Sequence, residues 1–229
     1  GFILVQTTTD GAEETPSNAV ALTITLPSDT TPPVITGPTF GPVTPTAGQW
    51  YTAGSLTMDV SCNEPCLFEY KIGSGSYTTL PNNTVLTATT FIQSANGTLT
   101  VKATDEAGNE STVTFNDLKI DSIKPELTIN VNTGFINDKT PSIEIVASDA
   151  TSGAHHALIK CAGSTVGESF NVSTGTTTIN DFDVTDGPNC ASGDGERDIT
   201  VELFDAAGLA SDIKTKTIKL DTTKPSAPG

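Results

Sequence analysis

The sequence predicts an all-β chain of tandem antiparallel β-sandwiches, and three observations predict it. Apolar and polar residues alternate over short runs, as in Leu99-Thr100-Val101-Lys102-Ala103 and Ile199-Thr200-Val201-Glu202-Leu203. That is the period of a strand buried on one face. No stretch carries the 3.6-residue apolar stripe of a packed helix. Finally, one segment recurs three times and closes each time on an aspartate followed within four residues by proline. These closing aspartates are Asp29, Asp121 and Asp221, spaced 92 and then 100 residues apart. About 100 residues is what one two-sheet sandwich requires.

The repeat justifies its elements in order. The first copy reads Ile3-Leu4-Val5-Gln6-Thr7-Thr8-Thr9-Asp10-Gly11 and then Val20-Ala21-Leu22-Thr23-Ile24-Thr25-Leu26. The second reads Leu99 to Thr104, the turn Asp105-Glu106-Ala107-Gly108-Asn109, and Leu118-Lys119-Ile120-Asp121. The third reads Ile199 to Phe204, the turn Asp205-Ala206-Ala207-Gly208, and Thr217-Ile218-Lys219-Leu220-Asp221. Each is a hairpin: a strand, a turn whose glycine can take positive φ, and a returning strand. The proline after the closing aspartate lacks an N–H and stops the ladder. Leu56 to Cys62 and Ile143 to Ala147 read as the second strand of each sandwich. Leu67 to Ile72 reads as a third strand leading into a Gly73-Ser74-Gly75-Ser76 turn. The expected organisation is a terminal hairpin of a preceding domain in 1–28, one domain in 29–122, another in 123–222, and a linker in 223–229. Starting at Gly1 in what reads as mid-strand, the chain is expected to be a piece of something longer.

Charge excludes some functions. The chain has 229 residues, 11 Lys+Arg, 27 Asp+Glu and a net charge of −16. It therefore lacks the basic surface that neutralises nucleic-acid phosphates or contacts anionic lipid. No run approaches the ~18–20 apolar residues of a membrane span. About 40 threonines and a charged fraction of 17% suit exposed strands better than disorder.

Four cysteines fall as two pairs, Cys62/Cys66 and Cys161/Cys190. An even count suggests disulfides and an oxidising compartment, the alternative being buried free thiols. Cys62 and Cys66 flank Asn63-Glu64-Pro65, where a tight turn could bring them within bridging distance. A zinc site is disfavoured there, because the only histidines lie in the other domain.

Both full repeats resemble bacterial immunoglobulin-like domains, the tandem modules of large surface proteins. In the first, the resemblance rests on Asn63-Glu64-Pro65, Phe68-Glu69-Tyr70, Thr104 to Asn109 and the Asp121/Pro125 exit. In the second it rests on Asn137 to Pro141, Ser148 to Gly153, Phe204 to Gly208 and the Asp221/Pro225 exit. The segment Pro16 to Val20 is similar to the end of a fibronectin type III module. The resemblance implies tandem immunoglobulin-like sandwiches in an extracellular adhesin, stalk or fibre protein, on a cell surface or secreted. Two departures stand out: Leu209 replaces the equivalent of Asn109, and no core tryptophan packs on an inter-sheet bridge.

Candidate chemistry lies mainly in aspartates. In such a sandwich the incoming linker and the B–C and F–G loops share one pole. That pole would gather Asp121, Asp149 and Asp205 in the second domain. In the first it would gather Asp29, Glu64 and Asp105, with Asn109 as a carbonyl donor. Calcium takes six to eight oxygens from such flexible sites. The competing reading is that these residues cap turns. Trp50 and Tyr51 offer an aromatic contact for a ligand or glycan, against simple edge packing. The insert from Gly163 to Gly195 is the least repeat-like segment and another binding candidate. His155-His156, as strand neighbours, should point to opposite faces and not share a metal. Asp181/Asp183 and Asp194/Glu196 are carboxylate pairs of the kind any acidic chain contains. No Gly-x-Ser-x-Gly elbow, phosphate loop or His-Glu-x-x-His motif appears, so an enzyme is not expected. Asn96, Asn109 and Asn171 sit in glycosylation frames, and a Lys–Asn isopeptide link is a further conceivable device. The expected function is a non-enzymatic structural or adhesive segment, stiffened by calcium. Its partners would be neighbouring modules, a host or prey surface ligand, or further copies of itself. The alternative is a carbohydrate- or ligand-binding module using 163–195 or Trp50/Tyr51.

Overall fold

The computed structural model describes residues 28–80, 84–91, 94–187 and 189–227, with backbone alone for 84–89. The chain divides into two compact units, 1–30 and 31–229. The expected hairpin of residues 2–26 lies outside the described residues. The second unit is all-β, and among its described residues fifteen strands bury two separate hydrophobic cores.

The first core is enclosed by β1 (Ile35–Gly41), β2 (Trp50–Thr52), β3 (Thr57–Ile72), β4 (Thr78–Thr79), β5 (Thr84–Thr90), β6 (Ala95–Thr104) and β7 (Glu110–Asp121). The hydrogen-bonded order is β1-β3-β6-β7-β2, with β4 and β5 also on β3. The strand β3 serves both layers. Its first half pairs with β1 and β5, and its second half, from Leu67, pairs with β6. The sequence suggested two strands here with a loop between. Instead the backbone runs through as one extended strand, and its pairing with β5 slips between Ser61 and Cys66. The Cys62–Cys66 disulfide closes that irregular stretch. Leu56, Met58, Val60, Phe68, Leu99, Val101, Leu118 and Ile120 fill the interior.

The second core lies between two sheets. One has β13 (Gly175–Ile179), β10 (Ile143–Ser148) and β8 (Glu126–Asn130), in that order. The other has β12 (Glu168–Asn171), β11 (Ala154–Cys161), β14 (Gly195–Asp205), β15 (Lys214–Leu220) and β9 (Phe135–Ile136). All neighbours are antiparallel except β15 and β9. The alternation read from the sequence is the alternation of burial. In β14, Arg197, Ile199, Val201, Leu203 and Asp205 face inward and the residues between them do not. Phe182, fully buried, anchors the insert between β13 and β14. Cys190 bridges to Cys161 at the end of β11. The buried guanidinium of Arg197 donates to the carbonyls of Val184, Gly193 and Glu196, pinning the same insert.

The segment 180–194 has almost no ladder of its own, so its order depends on Phe182, Arg197 and the Cys161–Cys190 bridge. With the cysteines 29 positions apart in sequence, the chain-entropy model assigns that bridge about 3–4 kcal/mol. Cys161→Ala/Cys190→Ala should lower the stability by that order in urea unfolding. A loss under ~1 kcal/mol would mean the core and Arg197 hold the insert alone.

Candidate metal centre

Two strands carry their inward phase one step too far for an apolar residue. In β6, Leu99, Val101 and Ala103 point inward, and the next inward position is Asp105. In β14, Val201 and Leu203 point inward, and the next is Asp205. Alternation therefore buries both aspartates, which are 8% and 2% exposed.

The turns that follow are built alike. In each, the aspartate N–H donates to the carbonyl four residues on, at 3.1 Å for both Asn109 and Leu209. The residue-109 and residue-209 N–H groups donate back to Oδ1 of the aspartate, at 2.8 and 2.9 Å. The difference is the side chain. Asn109 Nδ2 also donates to Asp105 Oδ2 at 2.9 Å. Leu209 cannot, and Asp205 Oδ2 is buried with no hydrogen-bond partner. The electrostatics follow. The Asn109 side chain, more than any other group, holds the Asp105 carboxyl below its ordinary range. Burial pushes Asp205 up, and the charges of Asp121 and Asp149 push it further.

Those two neighbours come from different elements. Asp121 ends β7 and is fully buried. Its Oδ1 accepts from Ile123 N at 2.8 Å and Ser94 Oγ at 3.3 Å, and its Oδ2 accepts from Ser152 N at 3.0 Å. That last bond ties the end of the first sandwich to the β10–β11 loop of the second. Asp149 opens this loop, and its Oδ1 accepts from Thr151 N at 3.0 Å and Gly153 N at 2.6 Å. Its Oδ2 is buried and unpartnered, as is Ser152 Oγ. Among the described residues four buried side-chain oxygens or nitrogens lack a partner, and three of them lie at this pole. Carboxylate oxygens of Asp121, Asp149 and Asp205 all lie within 4.8 Å of one another. Ligands around one calcium ion at ~2.3–2.6 Å are at most about 4.6–5.2 Å apart. The spacing, the hard oxygen donors and the orphaned atoms all fit a divalent cation.

The other candidates are placed as follows. Asp29, in the first unit, is exposed, and Glu64 is half-buried on β3. Trp50 is half-buried on the edge strand β2, with Lys119 Nζ 5.8 Å from its ring centre. Tyr51 packs on the first core and its hydroxyl accepts from Thr46 N at 2.9 Å. All four cysteines are in disulfides, so they hold no zinc. No described lysine is buried, as an isopeptide link would require. Asp183 binds Thr185, and Asp194 takes Thr222 and Thr223, which hold its carboxyl at about 2.

The histidines overturn the expectation made for them. Between Ala154↔Asp205 and His156↔Phe204, β11 advances two residues where β14 advances one. That is a β-bulge, and it breaks strict alternation. The two rings meet, with Nδ1 atoms 3.0 Å apart. Only a contact between strands, invisible in the local sequence, could reveal it.

No protein-family model matches the chain, and comparison with curated proteins finds no match. Solved structures do resemble it. Fibronectin(III)-like modules of Clostridium thermocellum CbhA align at 16% identity and TM-score 0.41, over 86% of this chain and 100% of theirs. A tetra-tandem repeat from the extending region of a large adhesion protein aligns at 18% identity and TM-score 0.32, over 75% of this chain and 46% of that one. Three N-terminal domains of the bacteriophage RB49 outer capsid protein Hoc align at 12% and 0.31, over 74% and 55%. The all-β sandwich architecture stands on this chain's own sheets and cores.

Two outcomes follow from the orphaned oxygens. Leu209→Asn restores the donor seen in the first sandwich and should stabilise the metal-free chain by about 1–3 kcal/mol. Denaturant midpoints check it. Asp205 binds its proton more tightly folded than unfolded, because its folded value is raised. Stability attributable to it therefore falls as pH rises from the ordinary 3.8 through the raised value. In chelator, the wild-type chain should gain stability on acidification through that window relative to Asp205→Asn. Parallel pH profiles for the two would refute the assignment.

Proposed function

We propose that this chain is a non-enzymatic, extracellular structural and adhesive segment, with calcium fixing the joint between its two sandwiches. One observation carries the reading. Asp149 and Asp205 each hold an unpartnered buried oxygen beside Asp121, the residue that ends one sandwich and touches the next. A joint meant only to solubilise would leave its carboxylates in water. Here loop N–H groups fix one oxygen of each and leave the other turned to the cluster.

Asp121, Asp149 and Asp205 would hold the ion, and the ion would supply a positive centre that relieves their repulsion. Because the three belong to β7, the β10–β11 loop and the end of β14, binding would link the two sandwiches and limit bending. Two disulfides suit an oxidising, extracellular setting. The large negative charge suits solubility at a surface rather than contact with nucleic acid.

Thermal unfolding in millimolar calcium and in chelator tests the reading. Calcium at 100 times its Kd should add about 2.7 kcal/mol to the folded state and raise Tm accordingly. Asp205→Asn should remove most of that shift. Asp121→Ala should broaden the small-angle scattering envelope in calcium. An unshifted Tm in the wild-type chain would sink the calcium joint.

A further inference from the structure

The bulge in β11 makes a second, chemically different site. His156 lies on the outer face of the five-stranded sheet and stacks on Phe204, with ring centres 4.7 Å apart and planes 4° from parallel. That stack holds the plane of the His156 ring. His155 is the extra residue of the bulge and is exposed. Its carbonyl is held by Val172 N at 3.0 Å, so its backbone is fixed while its ring stays accessible. The rings stand 87° apart and present Nδ1 to Nδ1 at 3.0 Å.

We propose that His155 and His156 form a bidentate site for a borderline transition-metal ion of the nickel(II) or copper(II) class. Two nitrogens bound at about 2.0–2.1 Å and 3.0 Å apart subtend about 91–97° at the metal. That is the right angle of a square-planar or octahedral ion. A tetrahedral ion needs about 3.3–3.4 Å between its nitrogens, so zinc fits less well. Imidazole suits these metals, whereas the all-carboxylate pole suits a hard cation. The two sites therefore sort metals by chemistry. Burial and the neighbouring ring hold His156 below its ordinary value. Without metal, the same pair is joined by one N–H···N hydrogen bond. Water completes the coordination of the bound ion.

The chain has only two histidines, so their imidazole signals are directly resolved by proton NMR. Nickel(II) is added in substoichiometric steps to the whole chain at neutral pH, with millimolar calcium present to occupy the carboxylates. Both imidazoles should broaden together at the same nickel concentration. In His155→Gln, an exposed replacement that leaves the Phe204 stack intact, His156 should need about tenfold more nickel. His156→Gln should shift His155 similarly, and matched melting curves show that both variants fold. Zinc should require several-fold higher concentrations than nickel in the wild-type chain. Independent broadening of the two rings, or an unchanged nickel requirement in His155→Gln, overturns the proposal.

Discussion

Asp205 is buried because β14 keeps its alternation to its last residue, and the chemistry of the junction depends on that phase. A strand cannot bury position 203 and expose position 205 without a bulge or a break. The fold thus forces a carboxylate into the end of the core. The turn then decides how that carboxylate is served. Backbone N–H groups take one oxygen in both repeats, since the turn geometry is common to both. The second oxygen depends on a single side chain, asparagine at 109 and leucine at 209.

The two repeats also close their exits in parallel ways with different chemistry. In the first, Ser94 and Ser122 bond each other and Ser94 reaches Asp121. In the second, Asp194 collects the hydroxyls of Thr222 and Thr223 and the N–H of Thr222. Both arrangements pin the chain where it leaves the last strand. Covalent support is distributed differently as well. One disulfide spans the register slip inside β3, and the other fastens an insert that lies outside the strand ladders. Neither bridge crosses between sheets at a tryptophan-packed centre, so alternation and apolar packing carry both cores.

Much of this was legible because it is periodic. Alternating burial, the repeated hairpins and the closing aspartates all follow from residues two apart or from the repeat length. Asp121, Asp149 and Asp205 could be nominated together because sandwich topology places their three loops at one pole. The parts that were not legible are breaks in period. The continuity of β3 through Asn63-Glu64-Pro65 is decided by its partners in two layers. The meeting of His155 with His156 is decided by one extra residue opposite β14. The tie from Ser152 N to Asp121 is a contact between two repeats, and neither repeat alone contains it. Which oxygens would be left bare could be reached only in part: the change from Asn109 to Leu209 was visible, but its consequence needed the turn geometry.

A cation would relieve this junction with less loss than a rearrangement of its side chains. The Asp149 and Asp205 side chains cannot swing to solvent without giving up the N–H groups of Thr151, Gly153, Ala207 and Leu209. Losing those bonds would leave half-buried donors unmet and open both loops. Asp121 is held by Ile123 and Ser152 in the same way. The three charges are thus fixed close together by bonds that are themselves worth keeping. A divalent ion would satisfy the same oxygens and keep every loop bond in place. Its hold on the joint would then rise and fall with the concentration of that ion in the medium.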